Sequence, residues 1–378
     1  MKIVVLKGGA SSEREVSLVS GADVARALRE KGHSVAEIDV KDELDPLPSG
    51  RCPETRAEES PGEGRDESFG QRACTSAGQS AGRGPRAGPS QDTVRSPEKG
   101  AGKNEGLLQF VSSAEISSCD VVFIALHGGT GENGTVQALL DLMRVPYTGS
   151  GMLGSALAMD KFLTKLAFEQ AGIPTPEWRA IESADLRRVE RAVSELGGPP
   201  VVTKPKDQGS TIGISIVNDM SQVRAAVDSA LQYSPDILVE TYIAGKELTV
   251  GILGDRALPV VEIAPETGFY SYDCKYTKGK SSYMVPAEID GDSAREAQES
   301  ALQAFRVLGC ADFSRVDFRL PDSGRPQCLE VNTVPGMTGT SLVPMAAKAV
   351  GIDFPSLVEE ICRLALARRG VVAAAKGV

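Results

Sequence analysis

No stretch of this 378-residue chain approaches the roughly 18 consecutive apolar residues that a membrane-spanning helix needs. The apolar run before the first glycines is only four residues long, Ile3 to Leu6. That is too few for a signal-peptide core and suits a buried first strand. Cysteine is sparse, scattered and odd in number: Cys52, Cys74, Cys119, Cys274, Cys310, Cys328 and Cys362, with no CxxC pair. This argues against a disulfide framework or a zinc site and for a reducing cytoplasm. Histidine is scarcer still, at two residues, so Ser210 has no convincing partner for a hydrolase triad. A net charge of -10 leaves no basic field for nucleic acid. GxxxxGK[ST] is missing, and the loop Gly8-Gly9-Ala10-Ser11-Ser12 lacks the third glycine of GxGxxG. Neither a P-loop nor a dinucleotide site is expected.

What remains is ordinary for a globular protein of two or three domains, with 41% hydrophobic and 24% charged residues. Residues 2–6 read as a strand. A helix follows over about 13–31, with Val16, Val19, Ala22, Val24 and Leu28 at helical spacing, and then a strand over 35–40. A β-loop-α-β start predicts a parallel sheet. Residues 48–105 are rich in Gly, Ser, Pro, Arg and Glu, with Phe69 and Val94 as their only large apolar residues. They read as a disordered insertion, because they bury too little to offset chain ordering. The strand Val121 to Leu126 ends in His127-Gly-Gly-Thr-Gly-Glu-Asn-Gly134, and helices are expected over 135–143 and 155–172. Beyond these, strands are expected at 200–204, 236–241, 246–254, 258–264, 313–320 and 327–332. Helices are expected at 182–196, 219–232, 291–308, 342–349 and 354–368.

Three groups of residues carry chemistry. In a strand, residues i and i+2 share a face. Arg315 and Asp317 therefore project together, as do Glu330 and Asn332. If the two strands are neighbours, two carboxylates, an amide and a guanidinium meet, a set whose oxygens suit magnesium. The same spacing fits an ordinary alternating strand with a solvated face. Gly336, in the turn-rich loop after it, can present its N–H to an anion. Lys204 ends a buried strand before the small-residue loop Gln208–Gly213, which can hold phosphate oxygens or be a simple turn. Glu240 and Glu247 lie on two strands joined through Tyr242 and Ile243, where they could accept hydrogen bonds from ribose hydroxyls or the adenine amine, or be surface acids. Glu13 has the bland explanation that acids favour helix N-termini. His127 fits either a substrate contact or a structural role.

Taken in order, the motifs resemble the D-alanine–D-alanine ligase family of ATP-grasp enzymes. They are GGASSEREVS, HGGTGENGTVQ, YTGSG with MDK, KPKDQGSTIGIS, YDCKYTKGK, SRVDF, LEVNTVPGMT and TSLVP, and they span Lys2 to about Leu366 apart from the insertion. The resemblance implies an α/β and α+β chain: an ATP-grasp fold behind an N-terminal parallel-sheet domain. It implies a domain over 1–158 that binds the first D-alanine and ATP-grasp subdomains over 159–241 and 242–378. It implies ATP and two magnesium or manganese ions. Lys161 and Lys204 match ATP-phosphate lysines. Glu240, Tyr242, Ile243 and Glu247 match adenosine contacts, and Asp317, Glu330 and Asn332 match metal ligands. Glu13 matches the acid that holds the first D-alanine, with Ser210 and Tyr276 closing a loop over it. Arg315 and the Gly336 N–H match oxyanion stabilisers; Lys275, Ser341 and Leu342 match the second D-alanine pocket. A cytoplasmic homodimer with no membrane or nucleic-acid partner is also implied. Asn133 departs from the aspartate common after the glutamate of HGxxGE. D-lactate or D-serine as second substrate, or a module that has lost catalysis, are the alternatives.

Overall fold

A computed structural model describes residues 1–40, 110, 113–265, 281–322 and 324–375. The expected insertion at 48–105 and the pair Lys275-Tyr276 lie outside the described residues.

The first sheet is parallel, in the order β2-β1-β3, with β1 Lys2–Gly8, β2 Ser34–Val40 and β3 Val121–Ile124. Helix α1 (Arg14–Glu30) packs on it through only part of the expected stripe: Val24 and Leu28 are buried as expected, whereas Val16, Val19 and Ala22 are not. Its buried face is Ser17, Ser20, Gly21, Val24, Ala25 and Leu28, while Val19 is 55% exposed. The cause is close approach: a Cβ on Gly21 would stand 2.5 Å from Cβ of Lys7. Only small side chains fit there. Ser17 accepts from the Gly8 N–H at 2.8 Å and donates to the Ala125 carbonyl at 2.6 Å. Val16 and Val19 are turned towards a cavity instead.

The expected helix over 155–172 is broken in two, α3 (Met152–Met159) and α4 (Lys161–Ala171), following α2 (Thr135–Leu142). Asp160 sits between them in extended backbone and its carboxylate accepts from the N–H groups of Phe162 and Leu163. A capping carboxylate competes with continuation of the helix. The break places Lys161 at the first position of α4.

The second sheet is antiparallel, in the order β4-β7-β5-β6, with β4 Trp178–Ile181, β5 Val201–Pro205, β6 Ser215–Val217 and β7 Ile237–Thr241. Helices α5 (Leu186–Glu195) and α6 (Val223–Ala230) cover one face, packing Val189, Val193, Val223 and Val227 on Val201, Ile237 and Val239. The third sheet is also antiparallel. It runs β11-β10-β8-β12-β13, with β9 on β8, for β8 Lys246–Leu253, β9 Arg256–Ala257, β10 Val261–Pro265, β11 Ser281–Met284, β12 Phe313–Leu320 and β13 Gln327–Asn332. Helix α7 (Gly291–Val307) packs with Val250, Val316 and Phe318; α8 (Leu342–Ala349) and α9 (Phe354–Ala375) pack with Leu253 and Val261. Strands β4, β6, β9 and β11 were not expected. They have two to four residues each and owe their form to pairing rather than to their own periodicity.

One buried acid ties α9 to the loop between α2 and α3. Asp312, with φ of 62°, accepts from the Gly149 N–H at 2.9 Å and from Arg368 at 3.1 Å. Burial raises its carboxyl from the usual 3.8 to about 6, against the opposing pull of Arg368. Between those values the native protein holds a proton that the unfolded chain has released, so this group's contribution to stability falls as pH rises. Asn tolerates the left-handed backbone and keeps the shape. Asp312→Asn should therefore flatten the stability profile between pH 4 and 6 by on the order of 2 kcal/mol. Urea unfolding at each pH reads this; identical slopes in both proteins would refute it.

Candidate active site

The two antiparallel sheets enclose a cleft of about 750 Å³. Val202 and Lys204 on β5 share its face, as alternate residues of a strand must, and Glu240 on β7 lies opposite Val202. Tyr242 and Ile243 from the β7–β8 link, Glu247 from β8, Asp317 from β12 and Glu330 from β13 complete the wall. Seven residues nominated from the sequence thus converge on one cavity.

Strands β12 and β13 are neighbours, so the expected convergence of their polar faces occurs. Arg315 pairs with Asn332 and Asp317 with Glu330 across the ladder. Arg315 forks onto Asp317, Nε to Oδ1 and Nη2 to Oδ2, each at 2.8 Å. Asp317 also accepts from Thr249 at 2.6 Å and from the Asn332 amide nitrogen at 2.9 Å. That leaves the Asn332 carbonyl oxygen as a donor atom towards a metal. Among the described residues no three His, Cys, Asp or Glu side chains gather as a ready metal cluster. Two carboxylates and an amide oxygen form an incomplete hard-oxygen set, the kind that magnesium or manganese completes with phosphate oxygens and water.

The lysines are buried and close to acids. Lys161 donates to the Gln208 carbonyl at 2.6 Å and stands 3.7 Å from Glu330. Burial lowers its pKa, and the charge of Glu330 is the largest effect opposing that fall. Lys204 is paired with Glu240 Oε1. Burial alone would depress Lys204; the charges of Glu240 and Glu330 outweigh it and hold the ammonium above its ordinary value. Glu240 meets a second cation on its other oxygen, Lys165 Nζ at 2.9 Å. Burial would raise this carboxyl, but the two lysines bring it down to about 2.

Glu13 occupies the cap position of α1 yet makes no cap with its side chain. Its carboxylate instead accepts from the Ser210 hydroxyl. Ser210 and Thr211 both have left-handed backbones, φ of 50° and 64°, at a cost of roughly 1–3 kcal/mol each. A second cavity, of about 1090 Å³, is lined by Val16, Val19, Arg315, Gly336, Ser341 and Leu342 among others. The Ser341 hydroxyl accepts from the Thr338 N–H at 3.0 Å.

His127, expected as a substrate contact, uses both ring nitrogens inside the protein. Nδ1 lies 2.9 Å from the Val334 carbonyl and Nε2 lies 3.0 Å from the Ser20 hydroxyl, with the residue 4% exposed. Burial lowers its pKa. The ring ties the end of β3 and α1 to the loop that carries Gly336. Both contacts place it to position that loop.

Sequence reading missed Lys165, Thr249, Arg319 and Glu132. Lys165 lies one helical turn from Lys161, a spacing that puts both on one face of α4. Arg319 continues the alternation of Arg315 and Asp317. It donates to the carbonyls of Ile243 at 3.0 Å and Gly245 at 2.8 Å, and its Nη1 reaches Glu247 at 3.3 Å. Thr249 was hidden because its partner Asp317 lies on another strand. Glu132 lines a small pocket with Lys161, Glu330 and Asn332, and burial, then the charge of Glu13, push its carboxyl well above the usual range.

Comparison with known proteins gives consistent matches along the chain. The family profile described as D-ala D-ala ligase N-terminus matches residues 2–150, and the one described as D-ala D-ala ligase C-terminus matches residues 167–363. The chain is 39% identical over 373 residues to a D-alanine–D-alanine ligase of Moorella thermoacetica, covering 97% of this chain and 99% of the relative. It is 39% identical over 360 residues to the ligase of Syntrophotalea carbinolica, covering 95% and 94%. A crystal structure of the Bacillus anthracis ligase complexed with ATP superposes with a TM-score of 0.70 at 25% identity, covering 98% of this chain and 99% of that one.

Proposed function

The chain belongs to the D-alanine–D-alanine ligase family, and from that premise we propose how its cleft works. The fold is an ATP-grasp fold with an N-terminal parallel sheet. The protein is a ligase that uses ATP to join two D-alanines into D-alanyl-D-alanine through a D-alanyl phosphate, for peptidoglycan precursors.

A carboxylate is a poor electrophile, so its oxygen first attacks the γ-phosphorus of ATP and ADP leaves. The amine of the second D-alanine then attacks the acyl carbon, loses a proton, and phosphate departs from the tetrahedral intermediate. We assign the adenosine to the wall made by Tyr242, Ile243 and Glu247, and the phosphates to Lys161 and Lys204. Glu240 has a lone pair left on each oxygen for the nucleoside, but its first contacts are lysines. Glu13 holds the first D-alanine's ammonium, with Ser210 and Tyr276 as its partners in closure, which would keep water from the acyl phosphate. Asp317, Glu330 and Asn332 would hold two magnesium or manganese ions. When bound, these offset charge on the transferring phosphoryl group. Arg315 and the Gly336 N–H face the oxyanion. We assign the second D-alanine to Lys275, Ser341 and Leu342, the first of which lies outside the described residues, and add Val16 and Val19, since they line the same cavity as Ser341.

We divide the chain into domains at 1–158, 159–241 and 242–378. We further propose a homodimer through the N-terminal part, whose helices leave Leu142, Met152 and Leu153 exposed. No helix among the described residues is long and apolar enough to cross a membrane, which suits the proposed cytoplasmic location.

The observation that carries this reading is the convergence of Lys204, Glu240, Glu247, Asp317 and Glu330 on one cleft between two antiparallel sheets. Phosphate release with ATP, magnesium and D-alanine tests it. D-alanine should stimulate release well above background, and D-lactate or D-serine as second substrate should add little. No stimulation by D-alanine would refute the ligase reading; equal rates with D-lactate would refute the substrate.

A further inference from the structure

Lys165 is linked to both sides of the cleft, to one through Glu240 and to the other by way of Thr175. Its Nζ is 2.9 Å from Glu240 Oε2 and donates to Thr175 Oγ1 at 2.6 Å. Thr175 Oγ1 donates in turn to the Cys328 carbonyl at 2.7 Å, and the Cys328 N–H donates to the Pro174 carbonyl at 2.7 Å. Glu240's other oxygen is on Lys204. A continuous polar path therefore runs from Lys204 on β5, through Glu240 on β7, Lys165 on α4 and Thr175, to Cys328 on β13. Cys328 stands two residues before Glu330. The two antiparallel sheets share no strand pairing, so contacts of this kind set their spacing.

Lys165 is 1% exposed and Glu240 is 2% exposed. Burying an ammonium costs several kcal/mol unless it is paired and hydrogen-bonded. A plain structural role would be met by an apolar side chain of the same length, at no such cost. What a second cation changes is the distribution of Glu240's charge. Facing Lys204 alone, Glu240 would form a full ion pair with it and compete with any phosphate. Shared between two ammonium groups, it neutralises each only in part.

We propose that Lys165 is a positioning residue for nucleotide binding: it divides Glu240's charge so that Lys204 stays available to phosphate oxygens, and through Thr175 it holds β13 at the right distance from β5 and β7. This inference rests on the assignment of the cleft to ATP.

The experiment compares wild type, Lys165→Met, Lys165→Arg and Thr175→Val by calorimetric titration with ATP and by steady-state kinetics. Lys165→Met should weaken ATP binding and raise its KM by about tenfold or more, the scale expected when a buried charge loses its partner. KM for D-alanine should stay within about twofold, because Glu13 and the second cavity are untouched. Lys165→Arg should recover most of the ATP affinity. Thr175→Val keeps the shape and both charges but cuts the link to Cys328, so KM for ATP should rise by about threefold. Equal ATP affinity in folded Lys165→Met and wild type would overturn the proposal. So would a parallel loss for ATP and D-alanine, the mark of general structural damage. If Lys165→Met does not fold, Thr175→Val decides: an unchanged KM for ATP overturns the proposal, and a selective rise supports it. Wild type that binds no ATP would overturn the nucleotide assignment itself, a result distinct from wild-type binding with unaffected variants.

Discussion

Glu330→Gln should yield a folded protein whose D-alanine-dependent phosphate release is lower by on the order of a thousandfold. Two electrostatic losses combine. Glu330 lies opposite Asp317 on the cleft face of the β12–β13 ladder, so the substitution removes one of the two carboxylates assigned to magnesium. It also strips Lys161 of the neighbour that most opposes the effect of burial. Lys161 would lose its proton more readily, and the phosphate end of the cleft would lose positive charge. Gln has nearly the same shape, and the Glu330 side chain is 25% exposed, so the fold has little reason to fail. Circular dichroism and urea unfolding should match wild type. A folded variant that keeps a tenth or more of the activity would refute the metal assignment, and an unfolded one would make Glu330 a structural residue.

The shared polar face of Asp317, Glu330 and Asn332, to which we assign the metal, was legible because strand geometry is simple. The alternation in Arg315-Val-Asp317 and Glu330-Val-Asn332 fixed which side chains share a face, and only the adjacency of the strands had to come from the fold. The ladder adds what no spacing could reveal: Asp317 is held by Arg315, Thr249 and Asn332 together. Helix boundaries were legible to within a few residues except at Asp160, where capping chemistry overrode a continuous helical pattern, and at the last helix, which runs beyond the expected 368 to Ala375. Val24 and Leu28 of the α1 stripe are core as expected, but Val16 and Val19 were misread for a different reason. Apolar residues were counted as core, whereas the tight approach of β1 selects Ser and Gly and turns Val16 and Val19 to a cavity. His127 was ambiguous because its partners, Ser20 and the Val334 carbonyl, lie 107 and 207 residues away. Lys165 was overlooked although it is one turn from Lys161; its importance depends on Glu240, a contact between elements that local pattern cannot show.

Arg315→Met should lower the rate of dipeptide formation by about 10²–10³-fold, the range for loss of one oxyanion donor. Arg315 faces two ways. One edge of its guanidinium forks onto Asp317 in the nucleotide cleft, and the residue also lines the cavity with Gly336 and Ser341. It therefore stands at the boundary between the sites we assign to phosphoryl transfer and to acyl transfer. The two roles predict different failures. If Arg315 only holds Asp317, its loss weakens the metal site and slows ATP consumption and dipeptide formation together; added magnesium should then restore both. If it stabilises the oxyanion, phosphoryl transfer continues while attack by the amine slows. The acyl phosphate then waits in the site and is lost to water, so the variant should release phosphate with little dipeptide. We expect the second pattern, because Asp317 keeps Thr249 and Asn332 when Arg315 is gone, whereas the Gly336 N–H would be left with no cationic neighbour from β12. Counting dipeptide formed per ATP consumed, across a magnesium titration, separates the two. A ratio that stays at the wild-type value, with a rate rescued by magnesium, would assign Arg315 to Asp317 and leave the oxyanion to Gly336.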